Sequence, residues 1–179
     1  MRNGKDDVPA ERFMKPGAAG IIEKNVNGAR YILVQERFKA DAPAEDGLIE
    51  IPAGKIREFE NIYDCLRREI KEETGLDVLE IEGEAASKVL DSNGYRVLSY
   101  EPFASAQNIT GTYPIMVQTF ICRVCGELVS ATNETRFLRW ISLEELEFLL
   151  EHQYDRFYPM HVNTLRKYLR MNRGVFTWK

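Results

Sequence analysis

From Asn61 to Thr74 the chain has neither glycine nor proline, and Ile62, Leu66 and Ile70 recur every fourth residue with Cys65 beside them. That is the period of a helix laying one apolar stripe against a core. On the same segment Glu69, Glu72 and Glu73 stand at i, i+3 and i+4, the separations that put side chains next to one another on one helical face. Three carboxylates sharing a patch either raise a pKa or bind a cation. Mg²⁺ suits such a face, because it takes carboxylate, carbonyl and water oxygens and is commonly held by one or two carboxylates together with substrate phosphates. Three glutamates alone would read as a solvated acidic surface. What sets this segment apart is its flanks: Gly54 six positions before Glu60, Arg68 immediately ahead of Glu69, and Gly75 and Leu76 closing the helix. Arginine offers a rigid fork that can hold a carboxylate, and glycine is the usual C-cap. The glutamate face is expected to be exposed and dispensable to folding, and Leu66 to belong to the core.

Taken together, Gly54, Glu60, Arg68, Glu69, Glu72, Glu73 and Gly75, with Ile70 and Leu76 at the aliphatic positions, resemble the Nudix box in full. A chance match over a chain this long has a probability on the order of 10⁻⁸ to 10⁻⁷ at average residue usage. The resemblance to Nudix hydrolases implies an α/β/α sandwich with a mixed β-sheet, in which the loop, helix and loop of the box form the catalytic floor. It implies hydrolysis of a nucleoside diphosphate linked to another group, with Mg²⁺ or Mn²⁺ as cofactor. By the same resemblance Glu72 and Glu73 are principal metal ligands, Glu69 a ligand or general base, the Ala53 carbonyl a further ligand, Glu60 a supporting ligand or neighbouring acid, and Arg68 the group that orients a glutamate. Such enzymes often recruit another acid from a later loop. Glu127 and Glu134 are the candidates, with Glu101 behind them.

The 179 residues suit a single domain, expected over 17–179 with C-terminal helices, after an N-terminal arm over 1–16. Net charge is −4, which leaves no electrostatic footprint for a nucleic-acid polymer; a small nucleotide substrate remains compatible, because a metal inverts an acidic field locally. No apolar run approaches the roughly 18 residues of a membrane span, and the start of the chain lacks the apolar core of a signal peptide. With three cysteines, Cys65, Cys122 and Cys125, a reduced cytoplasmic setting is expected. A homodimer is left open. Cys122 and Cys125 form a C-x-x-C, but within an apolar run where strand alternation sends them to opposite faces, and no second ligand pair follows. His152 and His161 lie far from the box and read as surface or packing residues.

Strands are expected over 18–22 and 29–35, joined by a hairpin at Asn25 to Gly28, then over 48–52, 78–90, 95–100, 115–124 and 137–141. Ser142-Leu143-Glu144-Glu145 reads as a capping box opening a helix to about Glu151, and an amphipathic helix covers 160–171. Strands, a helix, more strands and then helices argue for an α/β layered fold with a mixed sheet.

The run Leu48 to Ile56, following Val34-Gln35-Glu36-Arg37-Phe38, is similar to the approach to the box in ADP-ribose and nucleotide-sugar pyrophosphatases. The chain departs from those enzymes about 15 residues past the box, where they place a proline and it has Ser92-Asn93-Gly94-Tyr95. Housecleaning of oxidised or noncanonical nucleoside triphosphates is therefore an alternative, and a nucleotide-binding regulator without catalysis a second, disfavoured by the complete glutamate set. Arg37 is a candidate for substrate phosphate or for a local salt bridge. Phe38, Tyr95, Phe103 and Tyr113 flank the site without being assigned as contacts.

Overall fold

The computed structural model describes residues 11, 13–38, 43–131 and 135–173. The strands are β1 (Lys15–Val26), β2 (Ala29–Arg37), β3 (Ile49–Glu50), β4 (Ala53–Lys55), β5 (Asp77–Ile81), β6 (Lys88–Ser92), β7 (Tyr95–Ser99), β8 (Ala104–Gln107), β9 (Ile115–Cys125) and β10 (Thr135–Ser142). The helices are α1 (Ile62–Thr74), α2 (Leu143–His152) and α3 (Pro159–Asn172). Much of the N-terminal arm expected over 1–16 lies outside the described residues, and β1 already begins at Lys15.

A mixed sheet runs in the order β10-β2-β1-β9-β5, with β3 on β2, β4 on β1 and β8 on β9. β1 and β9 pair in parallel from Lys15↔Ile115 to Ile22↔Cys122, and the other pairings are antiparallel. Alternation along β1 assigns the two faces. Ala18 and Ile22 join Leu33, Phe120, Cys122 and the α1 residues Ile62, Leu66 and Ile70 in one core. Ala19 and Ile21 join Ile32, Val34, Ile121 and residues of α2 and α3 in the other. The result is the expected α/β/α sandwich: α1 covers one face of the sheet and α2 with α3 the other.

Local chemistry explains most boundaries. The Asn27-Gly28 pair takes left-handed backbone angles (φ 51° and 83°), which turns β1 into β2 as a two-residue hairpin. Ser142 caps α2 by accepting from the Glu145 amide at 3.1 Å. Two expected strands are corrected. The run over 48–52 is strand only at β3; Pro52, which has no amide hydrogen to give a ladder, lies in the break before β4 begins at Ala53. The run over 78–90 is split between β5 and β6 by a turn at Gly83, whose φ is 84°. β8 was not expected at all; its Ala-Ser-Ala-Gln sequence alternates only small and polar residues and has no β-branched ones. β6 and β7 form a separate two-stranded hairpin, closed by Asn93-Gly94 at φ 50° and 80°.

Candidate active site

The site is built where α1 crosses the loop and short strand that precede it. Asn61 caps α1, its side-chain oxygen accepting from the Tyr63 amide at 2.9 Å. Gly75 ends it at φ 78°, its amide donating to Lys71 O at 3.0 Å. Burial of Ile62, Cys65, Leu66 and Ile70 fixes the roll of the helix. That roll grades the glutamates instead of exposing all three. The Glu72 side chain is 53 % exposed, Glu69 is mostly shielded, and Glu73 is only 4 % exposed. The expectation of an exposed glutamate face is thus corrected for Glu73, because residues at i and i+4 point toward the sheet side while i+3 leans outward.

Gly54 is a recess for Glu69. A Cβ at position 54 would fall 1.8 Å from the Glu69 carboxyl carbon and 2.1 and 2.2 Å from its oxygens, so any side chain there would occupy the carboxylate's place. The adjacent residue holds Glu73: the Ala53 amide donates to Glu73 Oε2 at 3.0 Å, and Gln35 Nε2 donates to the same oxygen at 2.9 Å. The Glu73 carbonyl accepts from the Thr135 hydroxyl at 3.2 Å.

Arg68 gathers the remaining carboxylates. Its Nε and Nη2 grip Glu60 at 2.7 and 2.9 Å, and its Nη1 donates to Glu69 at 2.5 Å and to Glu72 at 3.3 Å. A fork of this kind holds carboxylates in a fixed plane. The Arg68 hydrogen bond holds the Glu60 carboxyl down to about 2, assisted by the Arg57 amide, while the Glu60 and Glu69 carboxylates push the Arg68 guanidinium above its ordinary range. The neighbouring Cys65 thiol is raised to about 12, chiefly by burial, and stays protonated at neutral pH.

The donor set Glu60, Glu69, Glu72, Glu73 and the Ala53 carbonyl is all oxygen, which matches a hard divalent cation. The recess at Gly54 brings one of those carboxylates against the backbone of the loop. Among the described residues no three carboxylate, histidine or cysteine side chains already converge on a single point; the positive charge among the glutamates is the Arg68 guanidinium. The residues fit the group in kind.

Arg37 is buried, with Nη1 on Glu50, Nη2 on Glu45 at 2.7 Å and on Tyr113 at 3.2 Å, and its guanidinium lies over the Tyr158 ring at 4.1 Å. The local ion pair is therefore formed. Glu127 is exposed, in the segment whose Val129 amide donates to Thr74 O at the end of α1. Glu134 lies outside the described residues, and Glu101 is exposed. Phe38 lies under Arg136, Tyr95 is exposed on β7, and Phe103 packs edge-on against Tyr168. Cys122 is buried and Cys125 exposed, so the C-x-x-C pair diverges. His152 is exposed and His161 buried. Gln35 and Glu50, both buried beside the site, were not singled out from the sequence. Their signal was present as a polar residue closing the apolar run Ile32-Leu33-Val34 and another interrupting Ile49 and Ile51.

The family model of the NUDIX domain matches residues 14–161. Among solved structures, the chain is similar to the NUDIX domain of Shewanella oneidensis NrtR complexed with ADP ribose, at a TM-score of 0.63 and 13% identity over 96% of this chain and 95% of that one. It is similar to a MutT protein from Methanosarcina mazei, at 0.61 and 17% over 89% and 95%. A C. elegans Ap4A hydrolase in a binary complex matches at 0.57 and 15%, over 90% and 99%. At these identities the structural likeness speaks to the fold alone. Among the described residues no helix is long and apolar enough to cross a membrane.

Proposed function

We propose that this chain, which belongs to the NUDIX family and is a pyrophosphohydrolase, cleaves a nucleoside diphosphate joined to a sugar, of which ADP-ribose is the representative. The products are a nucleoside monophosphate and a sugar phosphate. The observation that carries the assignment of the site is the fit of the Glu69 carboxylate into the space that only glycine leaves at position 54. A fold needs no such recess; a carboxylate that must stand against the loop backbone does.

Glu72, Glu73, Glu69 and the Ala53 carbonyl would hold a divalent cation, Mg²⁺ or Mn²⁺, with Glu60 in support. Bound there, it would neutralise charge on nonbridging phosphate oxygens and make a water nucleophilic. The protein's own contribution is positioning. Arg68 sets the plane of Glu60 and donates to both Glu69 and Glu72 from one nitrogen, so it orients two glutamates at once. Glu69, shielded by the loop, is placed to accept the proton of the attacking water or to act as a ligand. Thr135 donates to the Glu73 carbonyl, and the later acid is Glu127 or Glu134.

Substrate class rests on the Leu48 to Ile56 approach and finds support in the ADP-ribose complex of the similar NrtR domain. The competing reading, a nucleoside triphosphate pyrophosphohydrolase, is favoured by the absence of a proline at the Ser92 to Tyr95 turn. Comparing kcat/KM for ADP-ribose with that for an oxidised dGTP decides between them, since the ratio measures differential transition-state binding. Preference for the triphosphate by more than about tenfold, about 1.4 kcal/mol, overturns the nucleotide-sugar assignment. In ¹⁸O-water the label is expected in one product only, because a single P–O bond is made.

A further inference from the structure

A buried polar chain leads away from Glu73 along β2 and β3. Gln35, on β2 and 1 % exposed, aims its amide nitrogen at two buried carboxylates: Glu73 Oε2 at 2.9 Å and Glu50 Oε1 at 3.4 Å. Gln35 and Glu50 face one another in the β2–β3 ladder, and Glu50 is in turn paired with the buried guanidinium of Arg37. Only one orientation of the Gln35 amide is compatible with this setting. Its NH₂ carries two donors, while its oxygen could only repel two carboxylates. The chain accepts a cost for that orientation, because Gln35 Oε1 is buried with no hydrogen-bond partner among the described residues.

We propose that Gln35 is a positioning residue for the metal site: its amide, anchored by the Arg37–Glu50 pair, pins Glu73 at the oxygen that also accepts the Ala53 amide, so that Glu73 and the Ala53 peptide are held as one unit. The proposal rests on the reading of Glu73 and Ala53 as ligand groups. It assigns a function to the Gln35, Glu50 and Arg37 cluster other than direct contact with substrate. A long acidic side chain with several rotatable bonds is preorganised only if something fixes its rotamer, and here the fixing donor comes from a different strand, 38 positions away in sequence. Preorganisation of a ligand appears in metal affinity before it appears in chemistry.

The test is titration of the full-length protein with Mn²⁺, reading free Mn²⁺ by electron paramagnetic resonance, in wild type, Gln35→Met and Glu73→Gln, with thermal unfolding followed in parallel. Gln35→Met keeps the volume and removes the donor; it is expected to weaken Mn²⁺ binding by about tenfold, as the loss of partners that orient ligands typically does. With nucleotide saturating, activity lost at limiting Mn²⁺ is expected to return to within a few-fold as Mn²⁺ is raised, with the nucleotide KM unchanged, which a general folding defect would not do. Gln35→Asn, which keeps a buried amide but withdraws it by one methylene, is the second variant should Gln35→Met not fold, with the same weakening expected. Mn²⁺ binding within twofold of wild type in a folded Gln35 variant, while Glu73→Gln loses it, overturns this inference alone. Wild-type Mn²⁺ binding in Glu73→Gln overturns the ligand assignment on which it rests.

Discussion

Gly54→Ala separates the folding role of the box from its chemical role more sharply than any glutamate substitution. The new Cβ would lie 1.8 Å from the Glu69 carboxyl carbon, far inside van der Waals contact, so one of the two must move. The atoms met are the far end of a flexible side chain rather than backbone, and Glu69 can rotate away. What that rotation removes is one contact of the Arg68 fork, a partly shielded charged hydrogen bond worth about 1 kcal/mol. Against it stands the smaller conformational entropy of alanine in the unfolded chain, about 0.4–1 kcal/mol in favour of the variant where the backbone angles are tolerated, and Gly54 does not lie in the positive-φ region. The net change in stability is therefore within about 1 kcal/mol of zero, a shift of about 2–4 °C in Tm for a chain of this size. Catalysis is expected to respond differently. Displacing a reacting or ligating carboxylate by an ångström or more costs about 10²-fold, so kcat should fall by about that factor at saturating Mg²⁺. Calorimetry of the metal-free protein and steady-state kinetics on the same preparation supply both numbers. Unchanged kcat would refute the view that Glu69 must occupy the recess. A fall in Tm well beyond 4 °C would show that Gly54 serves the fold, not the site.

Three further outcomes follow from the packing. Leu66→Ala opens a cavity in the core beneath α1, where Leu66 is fully buried, and should cost about 2–5 kcal/mol in denaturant unfolding with little change in metal affinity of the folded fraction. His161 is buried, and burial next to Arg37 lowers its pKa to about 3; it stays neutral in the fold while the unfolded chain takes up a proton below about 6.5. Stability from this group is thus full above pH 6.5 and is lost progressively toward pH 3, by about 2 kcal/mol at pH 5, so His161→Phe should flatten that part of the profile, and an unaltered slope would contradict it. Phe59 sits at φ 57° and 99 % exposed in the turn before Glu60; Phe59→Gly should stabilise the protein by about 1 kcal/mol by relieving a left-handed backbone that a bulky residue adopts at a cost, and a lower Tm would show that the ring contributes contacts of its own.

How much of this was legible in the sequence depends on whether the controlling interaction is local. α1 was readable to within a residue because its apolar period, its cap and its terminal glycine all lie inside the segment. The Asn27-Gly28 turn and the Ser142 cap were readable for the same reason. The break between β3 and β4 was not, although Pro52 gave warning, because the two short strands answer to different partners: Ile49 and Glu50 pair with Glu36 and Gln35 of β2, and Ala53 to Lys55 with Gly17 to Ala19 of β1. β8 pairs with β9 alone, and the alternation within Ala104 to Gln107, of small and polar residues without a β-branched or aromatic one, is too weak to announce it.

The same division runs through the site. Arg68 was expected to orient a glutamate without a named partner, and it holds Glu60 and Glu69. The burial of Glu73 could not be anticipated from i, i+3, i+4 geometry, since that pattern gives neighbours on a helix but leaves open how far the helix rolls against the sheet. The roll is decided by Ile62, Leu66 and Ile70 meeting Ala18, Ile22 and Leu33, residues whose apolar character says that they are inside but not at what angle. Once that angle is set, Glu73 faces β2, and a buried carboxylate there needs donors; the Ala53 amide and Gln35 supply them. The glutamates of the box are thus not equivalent. Glu72 is tuned by solvent and by an arginine it shares, whereas Glu73 is tuned by the core, so a substitution at Arg37 or Glu50 is expected to reach Glu73 through Gln35 and to leave Glu72 unaffected.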